Sequence, residues 1–265
     1  MPRTRPRRLI PVFIAACLLL VLGGCAMFGK EADKTKGWPV TKLYSEAMQE
    51  LDAGNYQTAI QDFEKLESRF PFGRYAQQAQ LEIAYAYYKQ DEPDSAVSEA
   101  QRFIKMYPRN PNVDYAYYLM GLSEYNRGRG LIQRLFGVDR SQRDQESELK
   151  AFRYFAQLLR RFPDSRYARD ARDRMVFLRG NLAKYELSVA NYYMGRGAYV
   201  AAIDRAKHIL DHYRQTPATP RALVLMVEGY RRLGLKGPAN DALRVLKLNY
   251  PKDPALARLK PRSGG

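Results

Sequence analysis

Histidine and cysteine are almost missing from this chain of 265 residues, with two of each. The cysteines, Cys17 and Cys25, both lie in an apolar N-terminal segment, and everything after Cys25 is free of thiols. That excludes a disulfide framework and any cysteine-based metal site. It suits an oxidising compartment, where stray thiols are a liability. His208 and His212 stand four residues apart, with Asp204 and Asp211 nearby. A metal site needs three or four ligands held by further hydrogen bonds, and the repeat register derived below turns both imidazoles outward. No cofactor or metal is expected. No G-x-S-x-G elbow, phosphate-binding glycine loop or H-E-x-x-H occurs, which argues against an enzyme. Acids are also scarce: Lys plus Arg is 44 against 28 for Asp plus Glu, a net charge of +16. Four arginines (Arg3, Arg5, Arg7, Arg8) fall in the first eight residues, and no acid precedes Glu31. From Cys25 onward +12 remains, enough to attract nucleic acid, lipid headgroups or an acidic protein face. Val and Ile are few beside Ala, Leu, Tyr, Arg and Glu, a balance that leans helical.

The basic start is followed by an apolar run over 9–22 and then Gly23-Gly24-Cys25. The run is shorter than the roughly 18–20 residues a spanning helix needs, so residues 1–24 read as a secretory signal peptide. Leu22-Gly23-Gly24-Cys25 resembles the bacterial lipobox, in which the cysteine is acylated and becomes the first mature residue. Ile14-Ala15-Ala16-Cys17 fits too, but cleavage there leaves an apolar core of about six residues, below the usual 7–15. Cys25 is therefore the expected lipidation site, and 25–40 a lipidated tether. Ala26 in place of Asp, by resemblance to sorted lipoproteins, favours the outer membrane.

Periodicity dominates the rest. Ala59 precedes Pro71 by 12 residues, and the same step joins Ala96 to Pro108, Ala151 to Pro163 and Ala239 to Pro251. An aromatic directly precedes each proline: Phe70, Tyr107, Phe162 and Tyr250. A fifth copy sets Ala202 and Tyr213 in register, with Arg214 at the proline position. Upstream, Ala47 and Ala84 stand 12 before Ala59 and Ala96, as Ala190 and Val227 stand before Ala202 and Ala239. Each unit reads as two helices and a tight turn, with Gly54-Asn55 and Glu92-Pro93-Asp94 supplying turn chemistry and each proline a stop. The pattern resembles the tetratricopeptide repeat. The expected fold is all-α, an α-solenoid of about five helix pairs.

Two irregularities carry information. Gly121 and Ala151 are 30 apart rather than 12, so 18 residues are inserted within the third unit. Ala151 and Ala202 are 51 apart rather than 37. The 14 extra residues are about four helical turns, and the absence of proline from Ser165 to Tyr193 predicts one long helix, weakest at Gly180. The chain then divides into N-terminal repeats over 41–125, an insertion over 126–150, C-terminal repeats over 151–251 and a flexible tail over 252–265. Gly128-Arg129-Gly130 in the insertion reads as a mobile connection, and Asp170 and Asp173 among arginines as intrahelical ion pairs.

A solenoid lines its concave face with the first helix of each unit. In the tetratricopeptide family the positions three before, one after and four after that helix's small residue face inward. They are Tyr44, Met48 and Leu51, then Leu81, Tyr85 and Tyr88, then Tyr118, Leu122 and Tyr125, with Lys89 alongside. An aromatic cradle for an extended peptide and packing between units are both compatible with this stripe.

Pro71-Phe72-Gly73-Arg74-Tyr75-Ala76-Gln77-Gln78-Ala79-Gln80-Leu81, Ala84-Tyr85-Ala86-Tyr87-Tyr88-Lys89, Phe136-Gly137-Val138-Asp139-Arg140-Ser141 and Leu182-Ala183-Lys184-Tyr185-Glu186 resemble the BamD (ComL) family of outer-membrane lipoproteins. The resemblance implies a non-enzymatic component of the β-barrel assembly (BAM) complex, lipid-anchored and facing the periplasm. Its implied partners are a POTRA domain of BamA, BamC-like and BamE-like lipoproteins, and unfolded outer-membrane β-barrel proteins. The N-terminal repeats would take the targeting signal, which ends in an aromatic, and the C-terminal repeats BamA. Phe70 stands where the family often has tyrosine, and forms a patch with Phe72, Gly73 and Tyr75. Arg205, after Ala-Ile-Asp, is the implied BamA or substrate contact, with Arg196 a neighbour. The competing reading is a periplasmic scaffold for peptidoglycan or incoming DNA, whose affinity for nucleic acid would fall steeply with salt.

Overall fold

The computed structural model describes residues 35–127 and 145–259. The signal peptide and Cys25 lie outside the described residues, as do 128–144 of the insertion and the last six residues. Two units are distinguished, Met1–Pro39 and Val40–Gly265. Within the first, residues 35–37 form a turn in which the Trp38 N–H donates to the Thr35 carbonyl at 3.1 Å.

The second unit contains eleven helices and no strand among the described residues. They are α1 (Val40–Asp52), α2 (Tyr56–Arg69), α3 (Arg74–Lys89), α4 (Pro93–Met106), α5 (Val113–Asn126), α6 (Gln145–Arg161), α7 (Ala168–Gly195), α8 (Tyr199–His212), α9 (Ala218–Arg232), α10 (Lys236–Asn249) and α11 (Ala255–Leu259). The first ten form five successive pairs, each helix packing on the next. The expected long helix is one uninterrupted α7 of 28 residues that runs through Gly180.

Helix ends follow the repeat. Phe70, Tyr107, Phe162, Tyr213 and Tyr250 each donate a last N–H to the carbonyl four residues back, at 2.8–2.9 Å. Where the dihedrals are given, φ lies near −130°, out of the α region that a following proline disfavours. Tyr213 exits in the same way without a proline, so the aromatic cap is the constant element. Inside the pairs the turn needs one left-handed residue. Gly54, Gly197 and Gly234 provide it in units one, four and five, and Asp91 (φ 61°) does so in unit two, just ahead of Glu92-Pro93.

Small residues let the paired helices approach. Ala47, Ala59, Ala84, Ala96, Ala151, Ala190 and Ala202 are fully buried. In the second helix of each unit, the positions four and seven after the alanine share one space. They hold Phe63 and Leu66, Ala100 and Phe103, Phe155 and Leu158, Ala206 and Ile209, and Leu243 and Leu246, all buried. Units two and four set a small side chain at one position beside a larger one at the other, so the filling varies between units while both positions stay buried. Gly121 replaces alanine in unit three because a methyl there would run into the ring of Phe155, itself inaccessible to solvent.

Two cores result. One joins α3 to α6 and the first half of α7 through Phe103, Leu119, Phe155 and Leu178. The other joins the second half of α7 to α8–α11 through Ala190, Ile209, Val227 and Leu246. α7 belongs to both, which is what its extra turns achieve.

One expectation is corrected. The segment read as a flexible tail from 252 contains α11, whose Ala255 and Leu259 are buried against the second core. Asp253 accepts the Ala255 N–H at 2.8 Å, and the Leu259 carbonyl accepts from Arg231 at 2.7 Å. The Pro- and Lys-rich composition hid an apolar period of four.

Candidate functional site

The first helices of the pairs line one face, and α3 touches both α1 and α5. In units one to three this face carries half-buried Tyr44, Met48, Tyr85, Tyr88, Tyr118 and Tyr125, with exposed Lys89 at its rim. Leu51 and Leu81 are buried instead, and pack within the core.

The rings are held in distinct ways. Tyr44 lies 5.3 Å from Tyr75 and 5.8 Å from Phe63, centroid to centroid. Tyr85 and Tyr88 are 6.2 Å apart, with the Lys89 ammonium 6.0 Å above Tyr85 and 5.9 Å above Tyr56. Tyr88 accepts a hydrogen bond from Asn126 at 2.7 Å. Tyr118 stacks on Tyr167 at 4.6 Å and donates its hydroxyl to Asp170 of α7 at 2.6 Å. Tyr125 meets Phe155 and Phe177 edge-on, under the Arg174 guanidinium. Tyr118 and Tyr125 therefore also tie unit three to α7, whereas Tyr44, Tyr85 and Tyr88 stay nearer the open face. Burial, then the Asp170 hydrogen bond, pushes the Tyr118 hydroxyl up to about 12. Burial, then the charge of Glu82, does the same for Tyr44, also to about 12.

Two residues of this face escaped the sequence reading: Glu82, and Tyr115, which lies 5.3 Å from Tyr167. Each stands three residues before an inward tyrosine (Tyr85 and Tyr118), so extending the register by one turn finds both.

The Phe70–Tyr75 patch is only partly assembled. Phe70 is half-buried as the cap of α2, whereas Phe72 is 90% exposed and Gly73 takes φ 98°. Among the described residues no ring contact joins Phe70 or Phe72 to Tyr75, which pairs with Tyr44 and Arg74 instead.

Arg205 is exposed but not without a partner. Its guanidinium reaches the nearly buried carboxylate of Glu186 on α7 at 3.1 Å, and so joins α8 to α7. Arg196 caps α7 and lies over the Tyr192 ring at 5.3 Å. His208 and His212 stack on each other at 4.1 Å, His208 half-buried and His212 exposed. Among the described residues no group of three or more His, Cys, Asp or Glu is placed to hold a metal ion.

The inward register continues beyond the tyrosines. Counted from Ala190 and Val227 it gives Leu187 and Asn191, then Val224 and Glu228. These four line a cavity of about 560 Å³ together with Arg221 and Arg258. A second cavity of about 390 Å³, between Val176, Phe177 and Pro217, shares Leu187 and Arg221 with it.

Such an architecture defines a class: a tetratricopeptide-type scaffold of stacked helix pairs with a tyrosine-lined inner face. The model of the outer membrane lipoprotein family YfiO matches residues 37–246. The outer membrane protein assembly factor BamD of Neisseria meningitidis is 44% identical over 248 residues, 92% of this chain and 93% of that protein. BamD of Xylella fastidiosa is 39% identical over 95% of this chain and 87% of its own. Among solved structures, the type IV pilus biogenesis factor PilW matches at a TM-score of 0.37 and 15% identity, over 83% of this chain and 97% of that one. The chain belongs to the BamD (YfiO) family of outer membrane protein assembly factors. No helix among the described residues is long and apolar enough to cross a membrane.

Proposed function

We propose that this chain is a component of the BAM complex, anchored in the outer membrane through acylated Cys25 and facing the periplasm. Its tyrosine-lined inner face over units one to three receives the C-terminal targeting signal of unfolded outer-membrane β-barrel proteins. Its C-terminal repeats, with Arg205 and Arg196, dock a POTRA domain of BamA, and BamC-like and BamE-like lipoproteins complete the assembly. The observation that supports this reading is the stripe of half-buried tyrosines on α1, α3 and α5. Large rigid rings with a polar tip gain contact area at little entropic loss, whatever the exact guest sequence.

No covalent step is needed. A disordered precursor lays its terminal strand along the rings, loses chain entropy on ordering, and so binds with modest affinity and exchanges fast. That suits a handover. The arginine–glutamate tie between α7 and α8 gives Arg205 a second duty, since it fixes the helix pair that would face BamA.

Fluorescence anisotropy of a labelled peptide ending in phenylalanine, titrated with the full chain in detergent, tests the cradle. Saturable binding that falls roughly tenfold when Tyr85 and Tyr88 are both changed to Ala is expected from the loss of two ring contacts. Equal binding by the double variant contradicts the reading. Affinity capture from membranes tests the docking: a POTRA-bearing barrel protein should be retained.

A further inference from the structure

Most rings along the face of units one to three are already occupied by the chain's own groups. Arg74 lies over Tyr75 at 4.8 Å, Lys89 over Tyr85 at 6.0 Å, Arg174 over Tyr125 at 4.7 Å and Arg166 over Tyr167 at 4.7 Å. Tyr88 and Tyr118 have their hydroxyls tied to Asn126 and Asp170. Tyr44 and Tyr115 differ: among the described residues neither ring carries a cation and neither hydroxyl has a partner.

Glu82 stands on α3, which packs against both α1 with Tyr44 and α5 with Tyr115, and its charge bears on both tyrosines. It is half-buried and has neither a hydrogen-bond donor nor a cation among the described residues. The one charged group felt by its carboxyl is Asp52, at the end of α1, and that is another acid. Of the neighbouring elements, α1 therefore brings Asp52 and Tyr44, and α5 brings Tyr115. Its own helix carries Tyr85 and Lys89. Burial, and then Asp52, raises the carboxyl to about 7. A partly desolvated carboxylate without a partner is unfavourable. Ring faces are themselves negative, so two rings without a cation and two acids add with one sign, on a chain whose net charge is +16. The complement to such a place is a cation on a long apolar stem. A planar guanidinium fits it best, because it can stack on a ring and present two N–H groups to a carboxylate.

We propose that Tyr44, Glu82 and Tyr115 form a subsite for a cationic side chain, arginine above all, of an extended polypeptide lying along this face. The proposal rests on the reading that the face receives unfolded barrel precursors, and it names what the face selects beyond a terminal aromatic. Precursors with a suitably placed basic residue are held longer than those without one.

The test uses the full chain and labelled peptides that end in phenylalanine. A single arginine is moved along an otherwise neutral sequence, and each peptide is paired with its citrulline counterpart, which keeps the shape and removes the charge. At pH 8 one arginine position should bind about tenfold more tightly than its citrulline partner. Glu82→Gln should erase that preference, so that the arginine and citrulline peptides bind alike. The wild-type preference should also shrink at pH 5.5, where the carboxyl is protonated, a readout that needs no variant. Arginine and citrulline peptides that bind equally well at every position overturn the subsite and leave the cradle standing. A Glu82→Gln variant that keeps its helicity but weakens both peptides alike makes Glu82 structural, and also overturns it. If no peptide binds at all, the cradle and the subsite fail together.

Discussion

The inward positions of units one to three hold Tyr44, Met48, Leu51, Leu81, Tyr85, Tyr88, Tyr118, Leu122 and Tyr125. The same positions in units four and five hold Leu187, Asn191, Met194, Val224, Glu228 and Arg231. The helices behind these two faces are packed by one rule, with small residues at the crossing and buried apolar residues at positions four and seven. Packing thus decides the buried columns and leaves the inner columns free. One half has used that freedom for aromatic rings, the other for aliphatic side chains and charges around a cavity of about 560 Å³. α7 is the beam common to both cores.

The comparison can be broken most severely in the cores. Phe155→Ala removes the fully buried ring that touches Tyr118, Tyr125 and the Gly121 backbone. It should cost about 3–5 kcal/mol, and because repeats are coupled mainly to neighbours, amide exchange should accelerate in α3–α6 first. Protection in α8–α10 should persist, and equal loss in both halves would show one indivisible core. Gly121→Ala overpacks the same joint and should cost about 1–3 kcal/mol, read as a lower thermal midpoint.

The electrostatic predictions are smaller. Glu82 has a carboxyl raised to about 7 from an ordinary value of 4.5. The folded chain therefore holds that proton more tightly than the unfolded chain, and stability is lost as pH rises from 4.5 through 7. Glu82→Gln should raise stability at pH 8 by about 1–2 kcal/mol, the full linkage value being reduced for partial exposure, and change little at pH 4.5. Paired thermal melts at the two pH values read the difference. In the other half, Arg205→Ala leaves the Glu186 carboxylate without its partner. A loss of about 1 kcal/mol is expected for so exposed an arginine, confined to exchange in α7 and α8. Weaker retention of BamA by this variant should be compared with Glu186→Gln, which loosens the same tie but keeps Arg205. If both variants lose BamA equally, the arginine acts by positioning α8.

Much of the scaffold could be read from spacing alone. The step of 12 residues located the stop of the second helix in each pair, because the aromatic there leaves the helix in one way whatever else varies. The step of 51 announced α7. What spacing could not supply was the state of single side chains. Nothing local to Arg205 shows that Glu186, nineteen residues earlier, stands beside it. Glu82 and Tyr115 sit one turn outside the inward positions, so their convergence depends on how α1, α3 and α5 lie together. α11 was missed because proline and lysine at 251–254 outweighed a five-residue apolar pattern.

Site-specific photocrosslinking tests the division of labour most directly. A benzophenone amino acid is placed at Tyr85, or at Val224 in the C-terminal cavity, and exposed to an unfolded barrel precursor in detergent. The account predicts precursor adducts at Tyr85 and few or none at Val224. Adducts concentrated at Val224, with Tyr85 silent, would contradict it.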